Sequence, residues 1–193
     1  PEGDWPRQSA MSVLGNGLSA AKHDADALSV REAELSMRRR LGHTEESILA
    51  TLNNLASTYS QLGQFEQSLN IDREIYARRS KLYGTTEDTL TTAGNLASTL
   101  VDNLRQLDEA KAFLRDRIPE AIRTLGKDHD ITFRLQRMYA QCHYENDDAS
   151  REDVTTAIAQ LEDLDRRGTR IHGASHPQTR ATRCHLERAR AKL

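Results

Sequence analysis

Asn53-Asn54-Leu55-Ala56-Ser57-Thr58-Tyr59-Ser60-Gln61-Leu62-Gly63-Gln64-Phe65-Glu66-Gln67-Ser68 decides the fold. Leu52, Leu55, Ala56, Tyr59 and Leu62 recur at helical spacing, and Ile48 extends the same face toward the N-terminus. Gly63 breaks the pattern as a left-handed C-terminal cap does. A second apolar face follows at once through Phe65, Leu69, Ile71, Ile75 and Tyr76. Upstream, Thr44 and Ser47 flank Glu45 and Glu46, which is a helix start with acids in its first turn. Downstream, Arg78 and Arg79 suit the negative pole of a helix that Gly84 ends. Residues 44–84 therefore read as an antiparallel helical hairpin with a very short turn.

The hairpin is copied. Gly42, Gly84 and Gly126 lie 42 residues apart, each behind Leu41, Tyr83 or Leu125, and Gly173 follows after a further 47. A fixed interval of this length marks one supersecondary unit repeated, with stacked small cores in place of a single one. The copies are expected at about 8–42, 43–84, 85–126 and 127–173, with a terminal helix over 174–193. In the third unit, Thr86 or Asp88 starts the first helix. In the fourth, Asp128 or Asp130 does so, and the extra five residues fall near Glu145-Asn146-Asp147-Asp148. Pro177 suits the first position of the last helix. Pro119 predicts a kink or break in its helix. Ala10–Ala20 and Asp24–Arg40 read as a degenerate first hairpin. Residues 1–7, punctuated by Pro1, Gly3 and Pro6, are expected to be a linker. Leu193 ends the last helix abruptly, as expected if the array continues or docks, and Pro1 at the start fits a processed chain or a segment of a longer one.

Several motifs resemble the tetratricopeptide repeat, and more narrowly its kinesin-light-chain subtype. They are Asn53-Asn54-Leu55-Ala56, its echo Gly94-Asn95-Leu96-Ala97, and the links Leu41-Gly42-His43-Thr44, Leu125-Gly126-Lys127-Asp128-His129 and Gly173-Ala174-Ser175-His176-Pro177-Gln178-Thr179. The resemblance spans roughly residues 8–193 and is best over 42–126. It implies an all-α, right-handed solenoid of stacked helical hairpins whose first helices line a concave groove that holds an extended peptide. Carried over by position, the groove residues are Asn53, Ser57 and Gln61 in one repeat. Gly94, Ser98 and Asp102 correspond in the next, and Arg134, Arg137 and Gln141 in the third. Asn95, like Asn54, stands one residue on, where it faces either the groove or the neighbouring repeat. An amide both donates and accepts, which suits a peptide backbone. Arg134 and Arg137 would favour an acidic partner by paired bonds to carboxylates. Asp72, Pro119, Gly94 and the stretch Leu135-Gln136-Arg137-Met138-Tyr139-Ala140 depart from the family text. Gly3-Asp4-Trp5-Pro6 has the look of a short acidic-tryptophan ligand, or of a linker whose Trp5 covers the first hairpin.

Independently of the family, Ala56, Ala97 and Ala140, with Gly15, stand at matching points of the first helices, where a small side chain lets the partner helix approach. The formal charge of −2 is too near neutral for bulk binding to nucleic acid or a membrane surface. Acids cluster over 145–165 and bases follow from Arg166, with no interleaved aromatic residues for base stacking. No apolar run approaches membrane-spanning length. Two cysteines are too few for a disulfide scaffold, so a cytoplasmic or other reducing intracellular compartment is expected. Cys142-His143 and Cys184-His185, with His172 and His176, raise a metal site. Neighbours on a helix point about 100° apart, however, so neither pair chelates readily. Gly15-Asn16-Gly17 lacks the strand and lysine of a phosphate loop. No catalytic, cofactor or metal residue is assigned. The expected protein is a non-enzymatic interaction scaffold for a protein or peptide partner. The alternatives are a structural subunit embedded in a larger assembly, or the regulatory repeat domain of a larger protein.

Overall fold

The computed structural model describes residues 4–193, with side chains from Ser9 onward, so any role of Gly3 or of the Trp5 side chain lies outside the described residues. All regular structure among the described residues is helical. The chain divides into two compact units, Pro1–Arg78 and Arg79–Leu193.

In the first unit, α1 (Asp4–Ala20) and α2 (Asp24–Arg40) form a hairpin, α3 (Glu45–Gln61) packs on α2, and α4 (Phe65–Tyr83) begins. The expected linker 1–7 is corrected by α1, which starts at Asp4. Pro6 is tolerated there because first-turn amides have no acceptor within the helix. The hydroxyl of Thr44 accepts from the Ser47 amide at 3.4 Å and starts α3. After α3, Gly63 adopts φ +73°, its amide reaches the Ser60 carbonyl at 3.0 Å, and Gln64 N–H reaches Tyr59 at 2.8 Å. This paired motif closes the orphan carbonyls of the helix end. Ser68 then donates to the Ala56 carbonyl at 3.0 Å, so α4 touches the backbone of α3 at the small residue. Leu35, Ile48, Leu49, Leu52, Leu55 and Ile75 form the core. Beside it, buried Glu34 pairs with Arg38 at 2.6 Å and accepts from Ser12.

The second unit holds the end of α4, then α5 (Glu87–Ser98), α6 (Leu107–Leu125), α7 (Asp130–Glu145), α8 (Arg151–Ile171) and α9 (Pro177–Arg190). Within it α7 adjoins both α5 and α9, while α6 packs on α5 and α7, and α8 packs on α7 and α9. Phe133, Tyr144, Val154, Leu161, Leu164 and Leu186 anchor the α7–α8–α9 core. Thr86, not Asp88, caps α5, and His129 caps α7 through Nδ1 where Asp128 or Asp130 was expected. Ser150 and Asp153 form a reciprocal capping box on α8, and Pro177 does open α9. No break occurs at Pro119: α6 runs through it.

α5 continues into a π-helical turn, Thr99–Asn103, that periodicity does not reveal. The buried face of α3 (Leu49, Thr51, Leu52, Leu55, Ala56, Thr58) recurs in α5 and the first residue of the π turn as Leu90, Thr92, Ala93, Leu96, Ala97 and Thr99, an offset of 41. Yet cap Thr44 maps to Thr86, and turn residue Gly63 to Arg105, at an offset of 42. α5 is thus one residue short before its packed face, and the wider π turn restores that residue after it. Arg105 takes the glycine's place with φ +54°.

Candidate functional site

The expected groove residues of the second unit come together on α5, the π turn that follows it, and α7. Spacings of three and four residues put Asn95 and Ser98 on one face of α5, with Asp102 beside Ser98 in the π turn, and Arg134, Arg137 and Gln141 on one face of α7. Arg134 Nη1 donates to Asn95 Oδ1 at 3.2 Å. A Cβ at Gly94 would meet that Nη1 at 3.3 Å, so the glycine that departs from the family text makes room for the guanidinium. Asp102 accepts from Ser98 at 2.8 Å and from Gln141 Nε2 at 3.1 Å. Asn95 therefore engages the neighbouring repeat.

Arg137 contacts His185 of α9, Nη1 to Nε2 at 3.1 Å. Burial pulls its pKa down, opposed by the Asp102 charge and reinforced by Arg134. Its Nε is buried with no hydrogen-bond partner, and no carboxylate pairs with it among the described residues. His185 is held neutral, its pKa pushed down to about 4 by burial and then by Arg137. Since Arg137 can only donate, His185 Nε2 accepts, and its Nδ1–H faces the Tyr144 hydroxyl at 2.7 Å. Tyr144 donates to Glu145 at 3.2 Å, and Arg105 grips the same carboxylate and the Glu145 carbonyl, each at 3.0 Å. The line Arg137–His185–Tyr144–Glu145–Arg105 was not assigned from sequence. The one signal available was Arg105 standing 42 residues after Gly63. In the first unit, Ser57 and Gln61 are exposed and Asn53 is half-buried on α3.

Elsewhere in the second unit, a cleft of about 520 Å³ opens between α6 and α8 over α7, lined by Arg115, Ile118, Pro119, Tyr139, Gln160 and Leu164 among others. Cys142 is buried and its thiol is pushed up to about 12, chiefly by burial, which disfavours the thiolate a metal requires. Cys184 is exposed. Asp130, His172 and His176 do approach one another. No helix among the described residues is long and apolar enough to cross a membrane.

Residues 47–119 match the family model of the tetratricopeptide repeat. No curated protein matches the chain. Among solved structures, it is similar to nearly identical TPR-like repeats of a kinesin light chain candidate from Podosopora anserina. The TM-score is 0.74 at 21% identity, over 96% of this chain and 86% of that one. A variant of the same protein gives 0.78 at 20% identity with the same coverage. BtubC (BKLC) from P. vanneervenii follows at 0.62 and 14%, over 94% and 78%. Matching repeats and shared architecture agree with the caps and turns described above: residues 47–119 match tetratricopeptide repeats, and the chain has the all-α solenoid fold of kinesin-light-chain-like arrays.

Proposed function

We propose that the chain is a non-enzymatic scaffold that captures an extended, acidic peptide segment on its first-helix faces. Repeats of this family generally mediate protein–protein interaction. The observation that carries the acidic reading is Arg137: a partly buried guanidinium with an orphaned Nε and no paired carboxylate, beside Arg134 and above a neutral His185. A carboxylate arriving there gains charge-assisted bonds to a donor already held in place. In the first unit, Asn53, Ser57 and Gln61 by themselves offer amides and a hydroxyl on α3 that suit a peptide backbone. Two free thiols, one exposed, fit a reducing intracellular compartment.

A peptide array pairing Asp/Glu sequences with their Asn/Gln counterparts tests this directly. Acidic members are expected to bind, and Arg137→Gln to weaken them about 10- to 100-fold, the worth of a charge-assisted hydrogen bond. Equal binding by both sets, or an unchanged affinity in the variant, removes the reading. An embedded structural subunit is the second reading. It is favoured by apolar side chains left open at helix ends, Leu82 at 52% and Tyr83 at 50% exposure.

A further inference from the structure

We propose that Asp130, His172 and His176 form a divalent-metal site of the zinc, cobalt and nickel class, tying α7, α8 and α9 together. The three residues stand at three helix ends: Asp130 opens α7, His172 closes α8, and His176 caps α9. Gly173, at φ +90°, reverses the chain between the two histidines. That reversal stacks their rings, with centroids 4.7 Å apart and planes at 23°. One ligand atom from each residue lies within 4.8 Å of the other two.

The second observation is the state of His172. Its Nε2 is buried, faces Asp130 Oδ1 at 3.5 Å and makes no hydrogen bond. The ring meets that of Phe133 edge to face, with centroids 5.6 Å apart and planes at 77°. A fixed imidazole therefore aims an unused nitrogen at a carboxylate, with a second imidazole alongside. Two imidazoles and one carboxylate suit borderline metals rather than magnesium or calcium, which demand oxygen shells. Three protein ligands leave the remaining position to water. Bonds of about 2.0–2.1 Å place tetrahedral ligands roughly 3.3 Å apart, so no separation needs to close by more than about 1.5 Å. Asp130 is exposed and can supply much of that by rotamer change.

One contact opposes the site. His176 Nδ1 accepts the Gln178 amide at 3.4 Å, and ligation through the other nitrogen would place a proton on Nδ1. Losing so long a cap lowers affinity by about fivefold. Sequence alone hides the site because Asp130 lies 42 residues before His172.

The test uses the full chain, stripped with chelator, melted with and without Zn²⁺, and titrated with Co²⁺ for its visible d–d bands. Wild type is expected to rise on the order of 5 °C at a hundredfold excess over Kd and to show the bands of low-coordinate cobalt. His172→Gln and His176→Asn, the latter keeping a capping oxygen, are expected to abolish both signals while melting metal-free near wild type. Asp130→Asn is the fallback should a histidine variant fail to fold. Cys184→Ser is expected to retain both signals. No rise in wild type, an equal rise with Mg²⁺, or signals that survive the variants overturn the proposal.

Discussion

Gly168 lies in the last turn of α8, and the sign of its replacement by alanine tests the packing of α8 on α9. In a solvent-facing helix the change gains about 1 kcal/mol. Here a Cβ would stand 2.9 Å from Thr179 Oγ1, 3.6 Å from Phe133 Cε1 and 3.7 Å from Thr179 Cβ. Thr179 is 1% exposed, its hydroxyl has no partner, and Phe133 is 2% exposed. Thr179 is β-branched and stiff at χ1, and Phe133 is packed in the core, so neither neighbour yields freely. Overpacking costs about 1–3 kcal/mol, which exceeds the propensity gain and leaves Gly168→Ala destabilising by about 1 kcal/mol. Thr179→Ala removes the obstructing oxygen, so the double variant should recover at least about 1 kcal/mol of coupling. Gly17→Ala is the control: α1 offers it no atom within 4 Å, and it should stabilise by about 0.5–1 kcal/mol. Repeat arrays need not unfold in one step, so urea curves should be paired with hydrogen exchange at α8 and α9 amides. Gly168→Ala stabilising as Gly17→Ala does, or a coupling under about 0.3 kcal/mol, would refute the close approach.

Three other outcomes follow from the geometry. Lys22 and Arg105 both hold left-handed φ, at 63° and 54°. Lys22→Gly should stabilise by about 0.5–1 kcal/mol as steric relief outweighs added chain entropy. Arg105→Gly should gain nothing, because it surrenders the Glu145 contacts; equal melting shifts would refute the distinction. Ellman's reagent at pH 8 should titrate exposed Cys184 quickly and buried Cys142 only in denaturant, whereas two fast equivalents would contradict that burial. His185 has a native pKa of about 4 against an ordinary 6.5, so the unfolded chain binds the extra proton between those values. Its stabilising contribution is complete above pH 6.5 and fades as pH falls toward 4. Tempered by partial exposure, the loss is on the order of 1–2 kcal/mol; His185→Gln should flatten that part of the urea–pH profile, and parallel profiles would discount it.

Much of the fold was legible because helix ends are local events. Thr44, Thr86, Gly63 and Pro177 each act on backbone groups within a few residues, and all four do so where the text places them. Three expectations fail for equally local reasons. Pro6 sits where no amide is missed, Pro119 removes one bond from a helix that packing sustains, and His129 takes the cap through its ring nitrogen. The π turn stayed hidden because a one-residue deficit and a one-residue surplus cancel within an unchanged interval of 42. Polar candidates on α5 and α7 were recognised, but their partnerships were not.

From its own text this chain determined the helices, their caps and their copying, since each depends on a 3.6-residue period and on neighbours along the backbone. Only the packed structure decided that Asn95 meets Arg134 across 39 residues, that Tyr144 meets His185 across 41, and that Arg137 meets His185 across 48. Such pairings depend on which faces neighbouring helices turn toward each other, and burial then decides which charges and protons those faces keep.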